Sequence, residues 1–192
     1  RELAKAHNLP SSSCFTAFNQ NLVCLCLFDD SAPLIRSFRE LLQALLESFP
    51  GELSIGTGAL TAEPLLSAFR KAVCMCSLDK YFPDEHLFYF SDYFLFWQIA
   101  KLSDEEKSAI CAMTVQPLAD FDAENHTNLL DTLRMYYQCH LNSSLAASRM
   151  YIHRNTFLKR MERIQALIKF QPEHPGNLFS VYYGLCVYLT LH

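Results

Sequence analysis

The sequence predicts an α/β domain followed by an all-α domain that carries a helix-turn-helix. Three observations lead there. From Cys14 to about Asp92, short apolar runs rich in aromatic and β-branched residues alternate with segments of helical periodicity. From Asn142 to Ile164, two short amphipathic patterns meet across a tight break. Charge is also divided along the chain: residues 1–123 hold nine Lys/Arg against sixteen Asp/Glu, and residues 124–192 hold seven against four. The net charge of −4 therefore hides a basic C-terminal segment, where a nucleic-acid contact would lie. A chain of 192 residues, half of them apolar, is long enough for one sizeable core or two small ones.

The first segment, Arg1 to His7, reads as the tail of a helix, and with no initiator Met the chain is expected to be a C-terminal fragment whose upstream sensor domain is missing. Cys14–Asn19 and the run from Leu22 to Phe28, separated by polar residues, read as a β-hairpin. From Ser31 to Ser48, Leu34, Ile35, Phe38, Leu41, Leu42, Leu45 and Leu46 recur at helical spacing, with Pro33 near the start and Pro50-Gly51 at the close. Leu53 to Ala59 reads as a strand, with Gly56 and Gly58 on one face where a neighbouring backbone comes close. A helix from Pro64 to Leu78 and a strand from Leu87 to Phe90 complete an α+β sandwich.

Two helices follow, from Tyr93 to Ala100 and from Ser103 to Met113. The second opens on Ser103 with Glu106 three residues on, a capping-box spacing. Trp97 reads as packing. The periodicity breaks at Gln116-Pro117-Leu118 and Asp120-Phe121-Asp122, and the domain boundary is placed there, near residue 123. Domains of 1–123 and 124–192 result. A helix from Glu124 to His140 then carries Leu129, Leu133, Tyr136 and Tyr137 as a stripe. The final run, Leu178 to Leu191, is apolar nearly all round. A helix of that kind must be buried, so a second copy of the chain is expected to cover it, making a homodimer.

Between these lies the motif. Leu145, Ala146 and Met150 form an apolar face, and Ala146-Ala147 lets a second helix approach closely. Tyr151-Ile152 crosses the turn, and Phe157, Met161, Ile164 and Ile168 form the buried stripe of the next helix. Asn155, Lys159 and Arg163 then point away from the stripe, with Arg154 and Arg160 on its flanks. Asn can pair with N6 and N7 of adenine and Arg with O6 and N7 of guanine, so Asn155 and Arg154 are candidates for base contacts in double-stranded DNA. Ser143-Ser144, at a helix start, suit a phosphate. A helical hairpin with a solvated cationic face has the same periodicity.

Resemblance adds to this reading. Ala146-Ala147, Met150, Ile152-His153-Arg154-Asn155-Thr156, Arg160, Arg163 and Ile164 are similar to the C-terminal helix-turn-helix of PucR/CdaR-type bacterial transcription regulators, which control purine and sugar-diacid catabolism genes among others. Leu129 to Tyr136 also resembles the helix that precedes the motif in that family. The resemblance implies a DNA-binding regulator, and together with the helix faces above the expected contact set is Ser143, Ser144, His153, Arg154, Asn155, Thr156, Lys159, Arg160 and Arg163. The chain departs from the family at Leu141 and at Ile168-Lys169, where the family often has a Gly.

The order of elements from Cys14 to Asp92 resembles the GGDEF-like domain that precedes the motif in the same family. True GGDEF domains condense two nucleotides, which requires a Gly-Gly turn and carboxylates that hold divalent metal. The hairpin here offers only Phe18-Asn19-Gln20-Asn21, and Asp29-Asp30 reads as a turn and helix start. A degenerate domain without catalysis is expected, with no cofactor and no metal.

The eight cysteines include no Cys-x-x-Cys pair. Cys24 with Cys26, Cys74 with Cys76, and Cys139 beside His140 read as small core residues in a reducing cytoplasm. No apolar run reaches the length of a membrane span, so a soluble protein is expected. Three other readings stay open: a Fis-type regulator, a nucleotide or metabolite sensor whose helix-turn-helix binds protein, and a metal or redox sensor.

Overall fold

The computed structural model describes residues 14–19, 22–26, 32–50, 53–58, 63–82 and 84–191. The chain divides into two compact units, residues 1–100 and 101–192. The first is mixed α/β and the second all-α.

In the first unit, β1 (Cys14–Asn19) and β2 (Leu22–Cys26) pair antiparallel, with Cys14 opposite Cys26 and an irregularity between Ala17 and Asn19. The tip of this hairpin, Asp29-Asp30 and the expected N-terminal helix tail lie outside the described residues. Helix α1 (Ala32–Ser48) buries Leu34, Phe38, Leu41 and Leu42, the i, i+4, i+7, i+8 stripe expected of it. Strand β3 (Ile55–Gly56) pairs in parallel with β4 (Leu87–Phe88), and α2 (Leu65–Cys76) packs over both. Strand β1 has the expected bounds, β3 and β4 are much shorter than expected, and among the described residues the strands form two separate two-stranded sheets.

Gly56 shows why α2 lies so close. A Cβ built there would stand 2.3 Å from the carbonyl oxygen of Ala72 and from the amide nitrogen of Cys76. Phe90, expected to end a strand, instead opens α3 (Phe90–Ile99). Phe82, Phe88, Tyr93 and Phe96 gather beside it, with Phe82 and Phe96 edge-to-face at 5.5 Å.

Among the described residues the second unit holds six helices. Helix α4 (Asp104–Met113) starts on the expected capping box: the Glu106 amide donates to Ser103 Oγ at 3.2 Å, and the Ser103 amide donates to Glu106 Oε2 at 2.8 Å. The next stretch, expected to be a break, is helix α5 (Gln116–Asn125). Pro117 stands in its first turn, where a missing N–H leaves no bond unmade. Left-handed His126 closes it, so the helix expected from Glu124 begins later, as α6 (Leu129–Gln138). Asp122 of α5 links the two helices: its carboxylate accepts from the backbone amides of Leu129 at 2.8 Å and Leu130 at 2.9 Å, and from the Thr127 hydroxyl. Asn128 makes no side-chain cap, so a residue of the preceding helix satisfies the free amides of α6.

Helices α7 (Ser143–Arg149), α8 (Arg154–Ile168) and α9 (Pro175–Leu191) follow. One core joins Val115, Leu118, Leu129, Leu133, Ala146, Phe157, Ile164 and Val181. Two features of this unit bear on the sequence expectations. The compact unit begins at Lys101 and not near residue 123, because Val115 and Leu118 are buried in the same core as the motif and α4 packs on α9. The apolar α9 is also covered within its own unit: Val181, Gly184, Leu185, Cys186 and Val187 are buried, while Phe179 stays exposed and stacks on Tyr183 at 6.2 Å. Burial pushes the Cys186 thiol up to about 12, in keeping with a core residue and not a reactive thiolate.

Close approach at Gly184 makes the α4–α9 contact possible. A Cβ there would lie 1.9 Å from Thr114 Oγ1, and that hydroxyl is held by the Ile110 carbonyl at 2.6 Å. Gly184→Ala should therefore lower stability by about 1–3 kcal/mol despite its better helix propensity, read as a lower denaturant midpoint.

Each turn from α5 to α9 uses a left-handed residue that is not glycine: His126, His140 with Leu141, Tyr151, and Lys169. Leu141 and Lys169, at φ 62° and 51°, stand where the resembling family often has Gly. The turn geometry is kept and the steric cost is borne by the side chain. Lys169 is exposed at the C-cap of α8, so Lys169→Gly should stabilise the protein by about 1 kcal/mol and raise the same midpoint.

Candidate nucleic-acid interface

The site is built on α7, the turn after it, and α8. Asn142 starts α7 because its Oδ1 accepts from the amides of Ser144 and Leu145, both at 3.0 Å. Ala146 and Ala147 are buried, and their small side chains let α8 pack directly on α7. The turn is held by the Tyr151 amide donating to the Ser148 carbonyl at 3.1 Å and the Ile152 amide donating to that of Ala147 at 3.0 Å.

His153 begins α8. Its Nδ1 accepts from the Asn155 amide at 3.2 Å, so the side chain itself caps the first turn of the helix. Phe157, Met161 and Ile164 are buried, as their spacing predicts, and Ile168 is half-buried. Tyr136 of α6 lies 6.1 Å from Phe157, ring centre to ring centre. Burying this stripe leaves Arg154, Asn155, Thr156 and Lys159 exposed together on the first turns of α8.

The nine residues singled out in the sequence do not share one environment. Ser144, Arg154, Asn155, Thr156 and Lys159 are exposed. His153 is also exposed, but one ring nitrogen caps the helix. Ser143 is half-buried, and its hydroxyl shares a hydrogen bond with the Tyr136 phenol. Arg160 is half-buried: its Nη1 donates to Thr132 Oγ1 at 3.2 Å, and that buried hydroxyl donates to the Asn128 carbonyl at 2.6 Å. Arg163 is exposed as well, with its guanidinium over the Phe121 ring of α5 at 4.7 Å. Arg160 and Arg163 thus brace α8 against α6 and α5.

Sequence reasoning passed over Arg149, which is exposed in the last turn of α7, and Tyr151, which stands out from the turn. Tyr151 was read only as a crossing residue, because periodicity carries no information about a side chain between two helices. Among the described residues no group of three His, Cys, Asp or Glu is placed to hold a metal ion, and no helix is long and apolar enough to cross a membrane.

Residues 129–187 match the PucR C-terminal helix-turn-helix domain. The chain is 23% identical over 118 residues to the DNA-binding transcriptional activator AdeR of Bacillus subtilis (strain 168), a match covering 60% of this chain and 28% of that protein. It is 40% identical over 55 residues to the Purine catabolism regulatory protein of the same organism, covering 29% of this chain and 10% of that protein. The chain thus spans less than a third of the length of these relatives. The matched segment runs from α6 into α9 and contains every exposed residue of the site, so this part of the chain is similar to the PucR C-terminal helix-turn-helix domain.

Proposed function

We propose that the chain binds double-stranded DNA sequence-specifically through the N-terminal half of α8 and regulates transcription of a catabolic pathway, purine or sugar-diacid in type. The observation that carries this reading is the exposure of Arg154, Asn155, Thr156 and Lys159 on one end of a helix whose opposite side buries Phe157, Met161 and Ile164. That end can enter a major groove without unfolding anything. In this assignment Arg154 and Asn155 read base edges, with Thr156 beside them. Ser144, His153 and Lys159 hold phosphates. Arg160 and Arg163 serve mainly to hold α8 at its angle. The roles of the two relatives, a DNA-binding transcriptional activator and a purine catabolism regulator, support the reading.

The mechanism is binding and not turnover, in the cytoplasm and as a homodimer that presents two copies of α8 to a palindromic site. The α/β unit is a GGDEF-like module without catalysis that serves interaction or dimerisation. Selection of bound duplexes from random DNA tests the whole assignment. An inverted repeat with half-sites about one helical turn apart is expected, and recovery of unenriched sequence would remove the claim of specificity.

Point variants separate the roles. Asn155→Ala should relax base preference at one position, with a loss of discrimination of about 1–3 kcal/mol, measured by competition between duplexes. Lys159→Ala should weaken all duplexes alike and reduce the slope of log affinity against log salt by about one. Unchanged binding in both would take α8 out of the groove. Arg160→Ala should lower folding stability by about 1 kcal/mol, because it leaves the Thr132 hydroxyl without its donor, while the salt slope stays near that of the parent.

A further inference from the structure

Tyr151 is the most exposed of the large hydrophobic side chains described, at 96%, and its backbone is left-handed at φ 54°. Both properties come from its neighbours. Met150 and Ile152 are half-buried against the core of the unit, so the backbone between them is held to the surface and the intervening side chain is turned outward. The amides of Tyr151 and Ile152 close α7 on the carbonyls of Ser148 and Ala147, which leaves the turn no slack. A left-handed position is one that glycine takes without steric penalty. The chain places there a large ring that buries almost nothing.

Its location gives that ring something to do. Tyr151 comes two residues before the cap of α8 and four before Asn155, at the end of the helix that meets a duplex in the proposed docking. A phenol is a neutral donor of the kind that bonds phosphate oxygens in DNA complexes. We infer that Tyr151 is a DNA-backbone contact, its hydroxyl donating to a phosphate at the edge of the groove that α8 enters, an inference that rests on the reading of α8 given above. The contact adds affinity without sequence preference. Because no charge is involved, it leaves the salt dependence unchanged.

The test uses the full chain and a fluorescein-labelled duplex of mixed sequence at low salt, followed by anisotropy, with thermal melting of each variant. Tyr151→Phe removes only the hydroxyl and should weaken binding about three- to tenfold, with the salt slope of the parent and an unchanged melting temperature. Tyr151→Gly should bind at least as weakly, yet melt a few degrees higher, since it relieves the left-handed side chain. Opposite changes in binding and stability are the signature, because a ring that merely supported the turn would lower both. Lys159→Ala is the control. If it weakens binding while both Tyr151 variants bind like the parent, or if Tyr151→Gly melts lower, the inference about Tyr151 is overturned and the docking of α8 stands. If the parent fails to bind, or Lys159→Ala has no effect, the docking fails and the inference with it.

Discussion

Burial of Phe157 and Ile164 decides what α8 can present. Both are fully enclosed, in the core that also takes in Leu133 of α6 and Ala146 of α7. Each such side chain contributes roughly 1.5–3 kcal/mol through removal from water. Rotating α8 about its axis would expose this stripe, so the exposure of Asn155 and Lys159 on the other side is a consequence of packing and not of their own chemistry. The small Ala146-Ala147 pair belongs to the same constraint, since larger side chains would lift α8 off α7.

Polar braces then set the angle of the helix. Thr132 is fully buried, satisfied by the Asn128 carbonyl on one side and by Arg160 on the other. Arg163 stacks on Phe121, and Asp122, one residue along α5, caps α6. A buried hydroxyl and a helix start without its own cap are costly when unpaired. These bonds therefore couple α5, α6 and α8 into one unit. Part of the positive charge on α8 is committed to architecture, and the free cations gather near its N-terminal end.

The four turns that join these helices are strained in the same way. His126, His140 with Leu141, Tyr151 and Lys169 all take left-handed backbone that glycine would adopt freely. At Lys169 the turn is further held by Asn177, whose Nδ2 reaches the Lys169 carbonyl at 3.4 Å and whose Oδ1 accepts from the Gln171 amide at 2.7 Å. Tight turns persist here without glycine because helix packing on both sides over-determines the path of the chain.

Local patterns were legible in the sequence. The capping box at Ser103 and Glu106, the buried stripe of α8 and the Ala146-Ala147 approach each depend on residues a few positions apart, where helical periodicity is a sufficient guide. Helix α5 was not legible, because Pro117 and the acidic run read as breakers, and only the partners of that segment make it a helix: Leu118 needs the shared core, and Asp122 needs the amides of α6. The same holds for α9: its apolar surface calls for a cover, for which the sequence suggests a second copy of the chain, whereas α4 and the core of its own unit bury Val181, Leu185 and Val187. Thus the sequence alone determined which residues share a helix face and that the chain holds a basic helix-turn-helix behind an α/β region. Only the tertiary structure decided that α4 and α5 belong with that motif, that Arg160 and Arg163 turn to Thr132 and Phe121, and that Tyr151 stands free. Those outcomes depend on contacts between residues far apart in the chain, for which local spacing carries no information.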